Sequence, residues 1–169
     1  MVHRLDQDTS GLVLFAKSDA LRERLQDNWR AVTKIYRAVV VGVPDPPKHT
    51  ITTYLTETKT LQVRSSMHST PAGRLATTHY RLLRTAGRLS LVEIRLETGR
   101  KHQIRVHLAA LGCPVVGDER YGTKSGRSDR LALHATHLGF DHPVTGAPLR
   151  FNSPMPTTLV RLLRDADRE

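Results

Sequence analysis

Between residues 34 and 97 the chain offers five runs of strand-type residues with no helical stretch between them. Lys34 to Val41 (KIYRAVVV) is rich in β-branched side chains. Thr50 to Thr58 and Leu61 to Met67 flank a short turn. Ala76 to Leu83 and Leu89 to Glu97 alternate or run apolar around Gly87, the pattern of a hairpin. Strands that follow one another in this way argue for an α+β domain: a mixed, mostly antiparallel sheet with flanking helices. Gly11 to Lys17 is a short continuous apolar run and reads as a further, buried strand. Leu131 to Phe140 and Leu149 to Phe151 read as a late hairpin. Three helices are expected beside the sheet. Ser18 and Asp19 are N-cap types before one apolar face of Leu21, Leu25, Trp29 and Val32. Ile104, Leu108 and Leu111 follow at helical spacing and end at Gly112 and Pro114. Leu159, Leu162 and Leu163 suggest a short terminal helix. The 169 residues give room for one domain, expected over residues 1–169.

Charge narrows the partner. Lys and Arg total 26 against 16 Asp and Glu, a formal net charge of +10. Residues 74 to 130 hold twelve of the cations and five of the acids, so the excess is central and not a basic tail. Such a balance points to nucleic acid. Arg outnumbers Lys 20 to 6, and its fork matches phosphate geometry. Eight aromatic residues are few for a single-strand stacking platform, so structured RNA or a duplex fits better. No apolar run approaches the ~18 residues of a membrane span. Met1 to Asp6 has no apolar stretch of the signal-peptide kind, and the lone Cys113 excludes an internal disulfide; a reducing, cytoplasmic setting is expected.

Metal and nucleotide chemistry find no support. His134 and His137 fall on opposite faces of a strand. His102 and His107 lie about 140° apart around a helix. These four are read as polar or RNA-facing histidines, with no metal expected. Gly117 to Ser125 resembles a GxxxxGK[ST] phosphate loop, but Thr123 stands where Lys is needed and two acids lie inside it. No nucleotide cofactor is expected. No GxSxG occurs, so a serine hydrolase is poorly supported.

His3-Arg4-Leu5-Asp6-Gln7-Asp8-Thr9-Ser10-Gly11-Leu12 is the informative segment. A loop dense in His, Arg and Asp runs straight into an apolar stretch. A structural role for it is simple: Asp6 or Asp8 caps a turn and Arg4 pairs with it. The whole of HRLDQDTSGLVLFAK, however, resembles the catalytic signature of the RluA-type family of RNA pseudouridine synthases. Thr33 to Val40 is similar to that family's Lys-x-Tyr-x-Ala strand. Glu97 to Leu108 resembles its TGRxHQIRxHL segment, and Gly112 to Gly122 its GxPxxGDxxYG loop. Leu133 to Ala135 and His142 to Gly146 fit its closing hairpin. The motifs stand in family order and span residues 2 to about 153.

The resemblance implies isomerisation of uridine to pseudouridine in structured rRNA or tRNA, without a cofactor. It implies Asp6 as the catalytic carboxylate, Arg105 as its ion-pair partner and Tyr36 as the active-site tyrosine that stacks on the uracil. Arg4 would lie beside the target and help fill the space of the extruded base. His3, Thr9 and Ser10 would shape the loop or lie near phosphate. Arg100, Lys101, His102 and Arg120 are candidates for RNA contact. A carboxylate that must work as an anion in a buried site needs a cation beside it, which suits Arg105. Members of the family also carry a strand before HRLD and often a separate RNA-binding domain. The expectation is therefore a catalytic domain lacking its usual N-terminal segment, with an exposed sheet edge that invites self-association. The alternative is a truncated, non-catalytic RNA-binding homologue, against which Asp6, Tyr36 and Arg105 all count.

Overall fold

The computed structural model describes residues 1–122 and 130–168. One sheet organises them. Its strands are β1 (Ser10–Gly11), β2 (Thr33–Val41), β3 (Lys48–Glu57), β4 (Val63–Ser66), β5 (Arg74–Ala86), β6 (Leu89–Leu96), β7 (Leu133–Asp141) and β8 (Pro148–Asn152). The spatial order is β1-β7-β2-β6-β5-β3-β4, with β8 also on β7. Only β1 and β7 run parallel; every other pairing is antiparallel. The mixed, mostly antiparallel α+β sheet expected from the strand runs is thus the observed one. Its helices are α1 (Asp19–Asp27), α2 (Gln103–Ala110) and α3 (Thr157–Ala166). None is long and apolar enough to cross a membrane.

The main core lies where α2 and α3 cover the sheet. Val39 and Val40 of β2, Val92 and Ile94 of β6, Ile104 and Leu108 of α2, and Leu159 and Leu163 of α3 are all buried in one cluster. The periodicity of β-branched residues on β2 therefore reports burial and not strand propensity alone. A second, smaller cluster joins Val2, Leu25, Val32, Leu138 and Phe140.

Two local expectations fail for physical reasons. Gly11 to Lys17 is not a buried strand. Ser10 and Gly11 pair with His134 and Ala135, but from His137 onward the same edge of β7 is taken by β8. Leu12 still donates to the Ala135 carbonyl at 3.1 Å, and beyond it the run forms no strand: Leu12, Leu14 and Ala16 pack on the second cluster, while Val13 and Phe15 are exposed. The helix face likewise stops early. Ser18 caps α1 by accepting from the Leu21 N–H, as expected, but the helix ends at Asp27 with Asn28 at its C-cap. Trp29 and Val32 reach the same cluster from a turn. The buried Lys34 ammonium fixes that turn by donating to the Trp29 and Val32 carbonyls at 2.9 and 2.7 Å.

Candidate active site

The loop from His3 to Ser10 is pinned at both ends. At its start the His3 ring stacks on Trp29 with centroids 4.6 Å apart, and its Nε2 accepts from the Leu14 N–H. Burial holds the His3 imidazole below its ordinary pKa, in keeping with an accepting, neutral ring. At its end Ser10 Oγ lies 2.8 Å from His134 Nδ1, and the other nitrogen of that ring faces Ser153 Oγ at 3.2 Å. Gly11 follows at φ +115°, where a Cβ would stand 2.3 Å from the Ala135 carbonyl oxygen. Only glycine fits that approach. Between these anchors the chain turns on a Thr9 N–H to Asp6 carbonyl bond.

The loop forms one wall of a cavity of about 130 Å³. Arg4, Asp6, Thr9, Tyr36, Arg100 and Lys101 line it, together with Leu5, Leu96, Gly99, Gln103, Ile104 and Leu133. Six of the residues singled out from the sequence thus meet in one place. Tyr36 comes from β2 and is half-buried. Burial, and then the nearby Asp6 carboxylate, push its phenol up to about 12. It is therefore protonated at neutral pH, a hydrogen-bond donor with a flat face. Arg4 is exposed, and no ion pair joins it to a carboxylate among the described residues. The pairing of Arg4 with Asp6 or Asp8 is thus not seen among the described residues.

Arg105 stands behind Asp6, on α2. Its Nε and Nη2 hold both oxygens of Asp118 at 2.7 and 2.6 Å, a bidentate pair. The third nitrogen, Nη1, faces Asp6 Oδ2 at 3.9 Å. Tyr121 lies over the guanidinium, 5.2 Å from Cζ to the ring centre. Asp118 was missed as a site residue. Its side chain is fully buried, whereas that of Asp6 keeps 17% exposure, so only Asp6 is available to a bound molecule. Burial alone would push the Asp118 carboxyl up. The Arg105 hydrogen bonds and the backbone N–H groups of Tyr121 and Arg120, at 3.0 Å each, outweigh it and hold the carboxyl below its usual range. The same pairing overcomes burial at Arg105 and raises its pKa. Asp118 takes both hydrogen-bonding nitrogens of the fork, so at 3.9 Å the guanidinium acts on Asp6 through its charge and not through a hydrogen bond. Gly117 makes this possible at φ +75°, with the Arg130 carbonyl oxygen 2.2 Å from where a Cβ would be.

The turn before α2 has its own clamp. Gln103 Oε1 accepts from Thr98 Oγ1 and the Arg100 N–H, and Nε2 donates to the Thr77 carbonyl and Thr78 Oγ1. All its polar capacity is used to hold Gly99, Arg100 and Lys101 on the cavity rim. Lys101 pairs with Glu57 of β3. His102 enters α2 with φ +54° and is not on the cavity wall; its Nδ1 lies 2.8 Å from the Tyr121 hydroxyl. Burial, only partly offset by Asp6, lowers its pKa. Arg120 is exposed, outside the cavity, and donates to the Leu61 carbonyl. His3 too lies off the cavity, which leaves it the loop-shaping role.

Of the two readings offered for His107 and His134, polar or RNA-facing, only the first fits. Both are buried. His107 bridges Thr53 and Thr78 hydroxyls at 2.9 and 2.8 Å, and burial pulls its pKa down to about 4. A helical or strand spacing says which face a residue shares, and not whether a neighbouring strand covers it. Lys124 and Ser125, the end of the phosphate-loop look-alike, lie outside the described residues. Its first half, Gly117 to Gly122, is the Asp118 loop.

The chain is similar to known proteins along most of its length. A family profile described as RNA pseudouridylate synthase matches residues 1–110. An uncharacterized RNA pseudouridine synthase of Chloroflexus aurantiacus is 45% identical over 168 residues, covering 97% of this chain and 52% of that protein. Ribosomal large subunit pseudouridine synthase D of Zymomonas mobilis is 37% identical over 175 residues, covering 97% and 55%. Among solved structures, human RNA pseudouridylate synthase domain containing 4 aligns with a TM-score of 0.81 at 26% identity, covering 99% of this chain and 75% of that one. The chain spans about half the length of the curated relatives it matches.

Proposed function

The chain belongs to the family of RNA pseudouridylate synthases, and from that premise we propose that it isomerises a uridine in structured RNA to pseudouridine. The glycosidic C–N bond breaks, the uracil turns, and one of its carbons bonds to the same ribose carbon. That ring carbon gives up a proton and the ring nitrogen gains one, so the atoms balance without a cofactor. Relatives named ribosomal large subunit pseudouridine synthase D favour large-subunit rRNA as the substrate class.

The placement of Asp6 carries the reading. It is a partly exposed carboxylate on the wall of a cavity that also holds the Tyr36 ring, with a guanidinium nitrogen 3.9 Å behind it. Such a carboxylate can attack the sugar or the ring and leave again, or take the ring proton. Tyr36 supplies a stacking face and a hydroxyl that donates. A uridine in folded RNA must leave its stack to reach this cavity, at a cost of a few kcal/mol. Arg4, on the cavity wall, would help fill the space the base vacates. Arg100 and Lys101 at the rim suit the phosphates.

The test is incubation with an unmodified large-subunit rRNA transcript, followed by mapping of pseudouridine. The expected result is conversion at a defined uridine. Tight, salt-dependent binding without product would instead identify a non-catalytic RNA-binding protein.

A further inference from the structure

A groove of about 490 Å³ leads away from the Asp6 cavity, and the two share Leu96 and Arg100. Arg30 from the turn after α1, Arg95 from β6 and Arg100 from the turn before α2 stand along it. All three are exposed. Among the described residues none of the three is paired with a carboxylate, whereas Arg22, Arg37, Arg81, Arg84 and Lys101 all are. The acid in the wall, Glu97, is turned to His79 Nε2 at 2.6 Å. Lys34 adds a fourth cation close by. Its ammonium donates to two carbonyls and lies 5.6 Å from the Trp29 ring centre, with no carboxylate partner among the described residues, and it fixes the turn that carries Arg30. Burial first, and then the charge of Arg95, pull the Lys34 pKa down to about 8.

Three guanidiniums without a carboxylate partner among the described residues, one of them, Arg100, also on the cavity rim and donating by its Nε to the Leu75 carbonyl, form a track for an extended polyanion. We propose that this groove carries the RNA strand on one side of the target uridine, with Arg30, Arg95 and Arg100 contacting its phosphates. The inference rests on the reading of the chain as an RNA-modifying enzyme, and it adds the direction in which the strand leaves the cavity. A nucleotide extruded toward Asp6 drags its flanking phosphates to the rim. The groove is where they meet three guanidiniums, its acid Glu97 being turned to His79.

The test compares two double variants of equal charge loss. Arg30→Gln with Arg95→Gln removes two groove cations. Arg161→Gln with Arg164→Gln removes two exposed cations from α3. The probe is a single-stranded RNA of about twelve nucleotides with a central uridine, its Kd measured by fluorescence anisotropy over a range of potassium chloride. Losing two phosphate contacts should lower the slope of log Kd against log salt by about 1.4 in the groove variant. The α3 variant should keep the wild-type slope and the wild-type yield of pseudouridine. A wild-type slope in the groove variant, an equal loss in the α3 variant, or no salt-dependent binding by the wild type overturns the proposal. Pseudouridine formation by the wild type separates the two claims: if it occurs while the groove variant binds normally, only the groove assignment falls.

Discussion

His107 gives the sharpest link between burial and stability. Its imidazole is wholly enclosed between Thr53 and Thr78, and its pKa is pulled from an ordinary 6.5 down to about 4 by burial. The unfolded chain therefore binds a proton at His107 that the folded chain refuses between those two values. Stability is fully present above pH 6.5 and falls as pH drops through that window. A difference of some two and a half pKa units corresponds to about 3 kcal/mol. Other lowered groups, His3, His102 and His134, act in the same sense, so the single-residue share must come from a difference. His107→Gln keeps an amide able to reach a threonine hydroxyl and removes the titration. Urea unfolding of both proteins at pH 6.5 and pH 4 isolates the term. The wild type should lose about 3 kcal/mol more than the variant. Parallel losses would show that the ring is not held neutral by burial, and the argument would fail. His107 follows Arg105 by two residues on α2, so acid that loosens it should also withdraw Arg105 from Asp6.

Three further outcomes test the site. Asp118→Asn leaves the Arg105 charge without a counterion in a buried position, which should cost about 3–5 kcal/mol in urea unfolding; a loss below about 1 kcal/mol would mean the pair is not buried as described. Gly11→Ala forces a Cβ against the Ala135 carbonyl at positive φ; thermal unfolding should show a loss of more than about 1 kcal/mol, and a neutral result would contradict the close packing of the Asp6 loop on β7. Tyr36→Phe keeps the stacking face and removes the hydroxyl, so RNA affinity should hold while single-turnover conversion falls about tenfold or more; conversion at the wild-type rate would remove the hydroxyl from the chemistry.

The strand runs were legible because most were β-branched or alternating and bounded by turn residues, but the order β1-β7-β2-β6 joins strands far apart in sequence and was not. Asp6, Tyr36, Arg100 and Lys101 were legible as a set through their motifs, and the cavity brings them together. Asp118 was not. It stands 13 residues after Arg105, beyond a helix end, and two acids in its loop counted only as a reason against a phosphate site. The usable signal was there: an acid in a loop of a basic chain needs a cation, and Arg105 had a fork to give. The polar reading of His107 and His134 could not be separated from the RNA-facing one because burial depends on what lies opposite, Thr53 on β3 for one and the Ser10 loop for the other. Leu12 to Lys17 failed for a related reason, since nothing in that run reveals that β8 occupies the edge it would need.

The central claim is that Asp6 performs the isomerisation. Asp6→Asn keeps size and hydrogen-bonding shape while removing the anion. Wild type and variant should be incubated with the same unmodified large-subunit rRNA transcript, with Kd and pseudouridine yield measured together. The account predicts equal binding and no pseudouridine from Asp6→Asn. Conversion by the variant at the wild-type rate would contradict it.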